Sequence, residues 1–241
     1  MNLLLFDASE RESDGRVRIR GRRARHLREV FAATPGHVLP VGEVDGRLGT
    51  GTVLHLDGDE ALLTVTLERD PPPRLPLVLV LALPRPKMLR RLLRAVAEFG
   101  VSDLVLVNSE RVEKSFWQSD LLADSALRDY CLAGAAQARD TRLPAVTLRR
   151  RFRPFAEDEL PGLCAGRRAL VAHPGASEPC PASPAGPLLL AIGPEAGFNA
   201  FEVELLAAAG CSPVSLGLRT LRVETALVAA LGRLGGPPGP A

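Results

Sequence analysis

Arg219, Arg222 and Glu224 stand close together in SLGLRTLRVETALVAAL, Ser215–Leu231. A guanidinium at such a spot pairs with phosphate or with negative charge developing on a reacting group, and a carboxylate accepts a proton or an N–H. Two further segments share that character: HPGAS at 173–177 and GPEAGFN at 193–199 join His173 and Glu195 to glycine and proline. Glycine and proline fix turns and leave backbone N–H and C=O groups free to approach a flat ligand. Each segment taken singly is also a turn beside a capped helix. Asn199 with Glu202 three residues on has the pattern of a capping box, and Glu224 suits the first turn of a helix. Three such loops in one half of the chain favour a ligand site.

The loops need a scaffold, and the residues before them supply it. Each follows a short apolar run (RALVA, LLLAI and PVSL), and in open α/β sheets ligands bind beyond the carboxyl ends of the strands. LVLVLAL at 77–83 is apolar throughout, as a strand covered on both faces requires. PKMLRRLLRAVAEFG then sets Met88, Leu89, Leu92, Leu93, Val96 and Phe99 on one helical stripe with arginines opposite, and Gly100 marks its end. With DLVLVN as a further strand, and helices from about 119 to 138 and 202 to 209, the alternation predicts a largely parallel α/β sheet.

Pro71, Pro72 and Pro73 interrupt both ladder and helix, so a boundary falls there. The segment before them runs in short alternating stretches with Asp-Gly at 45 and 57, the signature of hairpins. The reading is a β-rich domain at 1–70, an α/β domain at 75–236 and a disordered tail at 237–241.

With 241 residues, 46% of them hydrophobic, the chain can bury one large core or two smaller ones. Its net charge of +2 hides local basic clusters. Arg16, Arg18, Arg20, Arg22, Arg23, Arg25 and Arg28 have no carboxylate among them, so the run reads as uncompensated charge suited to an RNA backbone. Cys131, Cys164, Cys180 and Cys211 are scattered, with no C-x-x-C pair and no histidine at ligand spacing, and read as reduced thiols of a cytoplasmic protein without a metal site. No apolar run is long enough to span a membrane. GRLGTG at 46–51 has no helix after it and fails as a dinucleotide loop; Ser177 lacks G-x-S-x-G, and no P-loop is present.

IGPEAGF followed by LGLRTLRVETA, with AHPGAS, AQARDTRLP, RRARHLREV, ALPRPKMLRRLLRAVAEFGV and NSERVEKSF before them, resembles the RsmE-like 16S ribosomal RNA uridine-N3 methyltransferases of the SPOUT superfamily. The resemblance spans nearly the whole chain. It implies an N-terminal PUA-like β-barrel that holds RNA, then a SPOUT α/β domain with a C-terminal trefoil knot, a device otherwise almost absent from proteins. It further implies S-adenosylmethionine bound in the knot, a homodimer, and a uridine of the small-subunit decoding region as target. By this resemblance the cofactor is held by His173, Pro174, Ile192, Gly193, Pro194, Glu195, Gly197, Leu216, Gly217, Leu218, Arg219, Leu221 and Arg222, and RNA by Arg20, Arg22, Arg23, Arg25, His26 and Arg28. Ala196 stands where the family usually has glycine, and Leu218 where proline is common.

Methylation at uracil N3 requires the loss of a proton and stabilisation of the charge left on the ring. Arg222, Arg139 and Arg111 are the candidates for the charge, and Glu195 or Glu224 for the base. Two other readings remain at this point: a SPOUT methyltransferase acting on a ribose 2'-hydroxyl, and a non-catalytic RNA-binding ribosome-assembly factor.

Overall fold

The computed structural model describes residues 2–235; the tail expected at 237–241 lies outside them. The chain divides into two compact units, Met1–Pro73 with Leu132–Leu143, and Arg74–Cys131 with Pro144–Ala241. The change of unit at Pro73 coincides with the proline run, whereas the inclusion of 132–143 in the first unit carries no local sequence signal.

The first unit is built on β1 (Leu4–Phe6), β2 (Val17–Arg20), α1 (Arg22–Glu29), β3 (Val38–Glu43), β4 (Leu48–Asp57) and β5 (Glu60–Arg69). Its five-stranded sheet has the order β1-β3-β4-β5-β2. The two Asp-Gly turns join β3 to β4 and β4 to β5, with Asp45 at φ 57° and Gly58 at φ 52°, the left-handed values such hairpins need. Alternation sorts the side chains of the first strand by face. Leu4 and Phe6 pack with Val17 and Ile19 of the opposite edge strand and with Ala24 and Leu27 of α1, so the sheet is curled into a nearly closed, barrel-like form. Leu3, Leu5 and Leu48 face the other way, onto Ala135.

AQARDTRLP is bound into this unit. The hydroxyl of Thr141 donates to the Gly46 carbonyl at 2.6 Å, Asp45 N donates to the Thr141 carbonyl at 2.8 Å, and Leu143 N donates to the Asp45 carboxylate at 3.2 Å. Both Asp140 and Thr141 are buried.

The arginine run differs from its reading as uncompensated charge, because carboxylates outside it fold back onto it. Arg18 pairs with Glu12 and Glu60, Arg20 with Glu60 at 3.2 Å, Arg23 with Glu10, Arg25 with Asp59 at 3.1 Å and Arg28 with Glu29 at 3.0 Å. Hydrogen bonds from Arg20 and Arg18 hold the Glu60 carboxyl below its ordinary range. Arg22 has no carboxylate partner among the described residues and is exposed. The first half of the run is β2 and the second half is the helix α1.

The second unit contains β6 (Leu75–Ala82), α2 (Pro86–Glu98), β7 (Val101–Val107), the start of α3 (Asp124–Ala138), β8 (Ala145–Arg149), the short α4 (Phe152–Pro154) and α5 (Leu160–Cys164), β9 (Arg168–Ala172), β10 (Leu188–Ile192), α6 (Ala200–Ala208), β11 (Ser212–Val214) and α7 (Val223–Leu234). Its six strands run parallel in the order β11-β9-β10-β6-β7-β8. The completely buried runs of β6 and β10 lie at its centre, as their unbroken apolar sequence requires. Buried Leu89, Leu92, Leu93 and Val96 form the inner stripe of α2, and Gly100 leaves the helix at φ 65°. The helix expected from about 119 begins only at Asp124, because 3-10 turns occupy Lys114–Gln118 and Asp120–Leu122.

Candidate functional site

Strand order brings the three loops together. β11, β9 and β10 are neighbours, so the segments leaving their carboxyl ends surround one cavity of about 320 Å³. His173 and Pro174 line it from the first loop, Ile192, Gly193, Pro194, Glu195 and Gly197 from the second, and Leu216, Gly217, Arg219 and Leu221 from the third. The cavity also takes in Arg111, Ala196, Phe198, Thr220, Val223 and Ala226. Of the expected cofactor residues, Leu218 and Arg222 do not line it: Leu218 is fully exposed, and Arg222 is the N-cap of α7.

Each loop has a local cause. A Cβ at Gly193 would lie 2.7 Å from the Phe198 amide nitrogen, so only glycine lets the chain double back there. Gly197 N donates to the Pro194 carbonyl at 2.7 Å and closes the turn. Gly217 has φ 124°, a conformation side chains resist, and its N–H donates to the Ser215 hydroxyl at 3.2 Å. In the first loop Gly175 N donates to His173 Nδ1 at 3.1 Å, which leaves the proton of a neutral ring on Nε2.

Glu202 organises the neighbourhood. Asn199 caps α6 by accepting from Glu202 N at 2.8 Å, and the buried Glu202 carboxylate accepts from Asn199 N at 3.0 Å, completing the expected capping box. That carboxylate also accepts from Glu110 N at 2.8 Å and from the Ser109 hydroxyl at 3.1 Å. The loop after β7 is thereby tied to the start of α6. From it Arg111 reaches across and donates to the Ala196 carbonyl at 2.5 Å. Trp117 Nε1 donates to the Asn108 side chain at 2.8 Å, bracing the same loop from its other end.

The ionisable candidates separate by position. Glu195 lines the cavity and faces Arg85, whose Nε lies 3.8 Å from its carboxylate. Glu224 sits half-buried in the first turn of α7 and does not line the cavity. Arg219 lines it and is exposed. Arg139 belongs to the first unit, exposed at φ 58°, and is not among the lining residues. Arg85 was not a candidate from sequence; its place beside Pro86 marks a helix start, and nothing local announces Glu195 as its partner.

A parallel sheet with a cavity built from three strand-end loops defines an α/β ligand-binding unit. The chain belongs to the RNA methyltransferase family, as an RsmE-like member: the family model described as an RNA methyltransferase domain matches residues 71–235. It is 32% identical over 237 residues to the ribosomal RNA small subunit methyltransferase E of Treponema pallidum, covering 95% of this chain and 89% of that one. Identity to the protein of the same name from Mycobacterium bovis is 30% over 218 residues, with 87% and 82% covered. Among solved structures, the ribosomal RNA small subunit methyltransferase E of Neisseria gonorrhoeae bound to S-adenosyl methionine superposes with a TM-score of 0.75 at 20% identity, covering 95% of each chain. Lpg2936 of Legionella pneumophila, in complex with bound SAM, gives 0.77 at 19%, covering 96% of this chain and 95% of that one.

Proposed function

We propose that the protein methylates N3 of a uridine in the decoding region of 16S ribosomal RNA, using S-adenosylmethionine, in the cytoplasm. The observation that carries this reading is the single cavity ringed by the loops after β9, β10 and β11 in a chain of this family. Its volume falls in the range of small-molecule pockets, about 300–1,000 Å³. Its walls combine apolar side chains, suited to an adenine ring, with the bare backbone of Gly193, Gly197 and Gly217. S-adenosylmethionine supplies an electrophilic methyl group on a sulfonium centre. The chain's own residues have to do the rest.

Glu195 is the carboxylate placed to take the N3 proton, since it lines the cavity and Glu224 does not. Arg219 lines the cavity and makes no ion pair among the described residues, so its guanidinium is the one available to offset charge on the uracil, a role that Arg222, off the cavity wall, does not share. Arg111 is engaged with the Ala196 carbonyl and acts as a positioning residue that holds the 194–197 turn. The target base must leave its stack to enter, which calls for an extended RNA footprint.

The first unit supplies part of that footprint as a PUA-like RNA-binding domain, through Arg20, Arg22, Arg23, Arg25, His26 and Arg28, with Arg22 the most available cation. The C-terminal segment forms a trefoil knot. This is supported by the bridge between Pro179 and Ser215 and by the bonds from α7, in which Arg233 donates to the Cys180 carbonyl and accepts from Ser183 N at 2.8 Å. A homodimer is supported by the exposed apolar side chains Phe201, Leu218 and Val228. Sedimentation tests the dimer. Incubation with small subunits lacking the modification tests the chemistry: 3-methyluridine supports the reading, whereas a 2'-O-methyl nucleoside, or RNA binding without methylation, overturns it.

A further inference from the structure

The arginines of the first unit are largely neutralised by carboxylates, yet a second basic surface is not. Lys87, Arg90, Arg91 and Arg94 are exposed on α2 and fall within an arc of roughly 100°, opposite the stripe of Leu89, Leu92, Leu93 and Val96. Lys87, Arg90 and Arg91 have no carboxylate partner among the described residues. Arg94 lies over the Tyr130 ring at 5.2 Å, a contact that leaves its charge uncancelled. Glu98, the acidic residue of this helix, is at the end farther from the cavity.

Two observations distinguish this face from an ordinary solvated one. The first turns of α2 contain cations and no acid, an arrangement that works against the helix dipole and costs helix stability. The face also begins at the site, because Arg85 at the N-cap is the residue that meets Glu195. From Lys87 to Arg94 the helix advances about 10 Å, the axial rise of roughly three phosphates on one strand.

We propose that this face of α2 is a docking track for the phosphate backbone of the RNA, leading away from the cavity and adding to the arginines of α1. The inference rests on the proposed RNA substrate and adds a surface to it. Replacing Lys87, Arg90 and Arg91 together by glutamine removes charge while keeping good helix formers. Binding of a labelled decoding-region RNA is then followed between about 50 and 200 mM salt, with calorimetry of S-adenosylmethionine and sedimentation of the variant alongside.

The salt slope of log affinity is expected to fall by about two, with cofactor affinity and sedimentation unchanged. An unchanged slope in the variant, with the parent binding normally, overturns the α2 track alone. Altered sedimentation assigns the face to contacts between copies and overturns it too. Failure of the parent to bind RNA overturns both this inference and the substrate reading beneath it.

Discussion

Among single residues, those that line the cavity are the ones placed to touch a ligand. Glu195→Gln is expected to lower kcat by 100-fold or so, a typical contribution of acid–base catalysis, while calorimetry shows cofactor binding retained; Glu224→Gln is expected to leave kcat within a few-fold. Equal losses in both would remove Glu195 from the proton transfer. Gly193→Ala tests the turn, since its new Cβ would lie 2.7 Å from the Phe198 nitrogen. Cofactor affinity is expected to fall at least tenfold, about 1.4 kcal/mol, and unchanged affinity would mean that the loop yields. Among the thiols, burial pushes Cys131 up to about 12, while the partly exposed Cys164, also raised by burial, is more accessible. Mass spectrometry after brief iodoacetamide treatment is expected to find Cys164 modified well before Cys131. The reactive-looking residues were legible because glycine, proline, arginine and glutamate announce turns and charge locally. Arg222 shows the limit: its place beside Leu221 and Val223 in sequence did not reveal that the N-cap would carry it off the cavity wall.

Between elements, the decisive joint is the Glu202 carboxylate, which accepts from Asn199 N, Glu110 N and the Ser109 hydroxyl. Glu202→Gln turns one acceptor oxygen into a donor group facing donors. It is expected to cost about 2–3 kcal/mol, measured as a lower urea midpoint, and to weaken cofactor binding through the loosened Arg111 loop. An unchanged midpoint would mean that the joint is replaceable. The capping box was readable from Asn199 and Glu202, but its second use, to hold the loop after β7, joins residues far apart in sequence and has no local pattern. Other elements escaped for similar reasons. β8 is a five-residue edge strand only partly buried, so AVTLR lacks a strong apolar run. The stretch 152–164 carries Pro154 and Pro161, which read as breaks, though each sits in a short helical turn. α1 was hidden by its own charge, having only Ala24 and Leu27 buried.

For the whole molecule, the parallel α/β sheet of the second unit was the most legible feature, because fully apolar runs alternating with helices predict buried parallel strands, although their order in the sheet has no local signal. What could not be read was long-range pairing: the carboxylates that return to the arginine run, and the insertion of 132–143 into the first unit through Thr141 and Asp45. If the cavity holds the methyl donor, the folded state is stabilised by mass action. S-adenosylmethionine at 100 times its Kd is expected to add about 2.7 kcal/mol, seen as a rise in Tm that a non-binding analogue does not produce. The most direct test of the central claim is nucleoside mass spectrometry on small ribosomal subunits lacking the modification, after incubation with the protein and S-adenosylmethionine. The account predicts a new 3-methyluridine in the decoding region; a methyl group found on a ribose hydroxyl, or no transfer by a protein that binds both ligands, would contradict it.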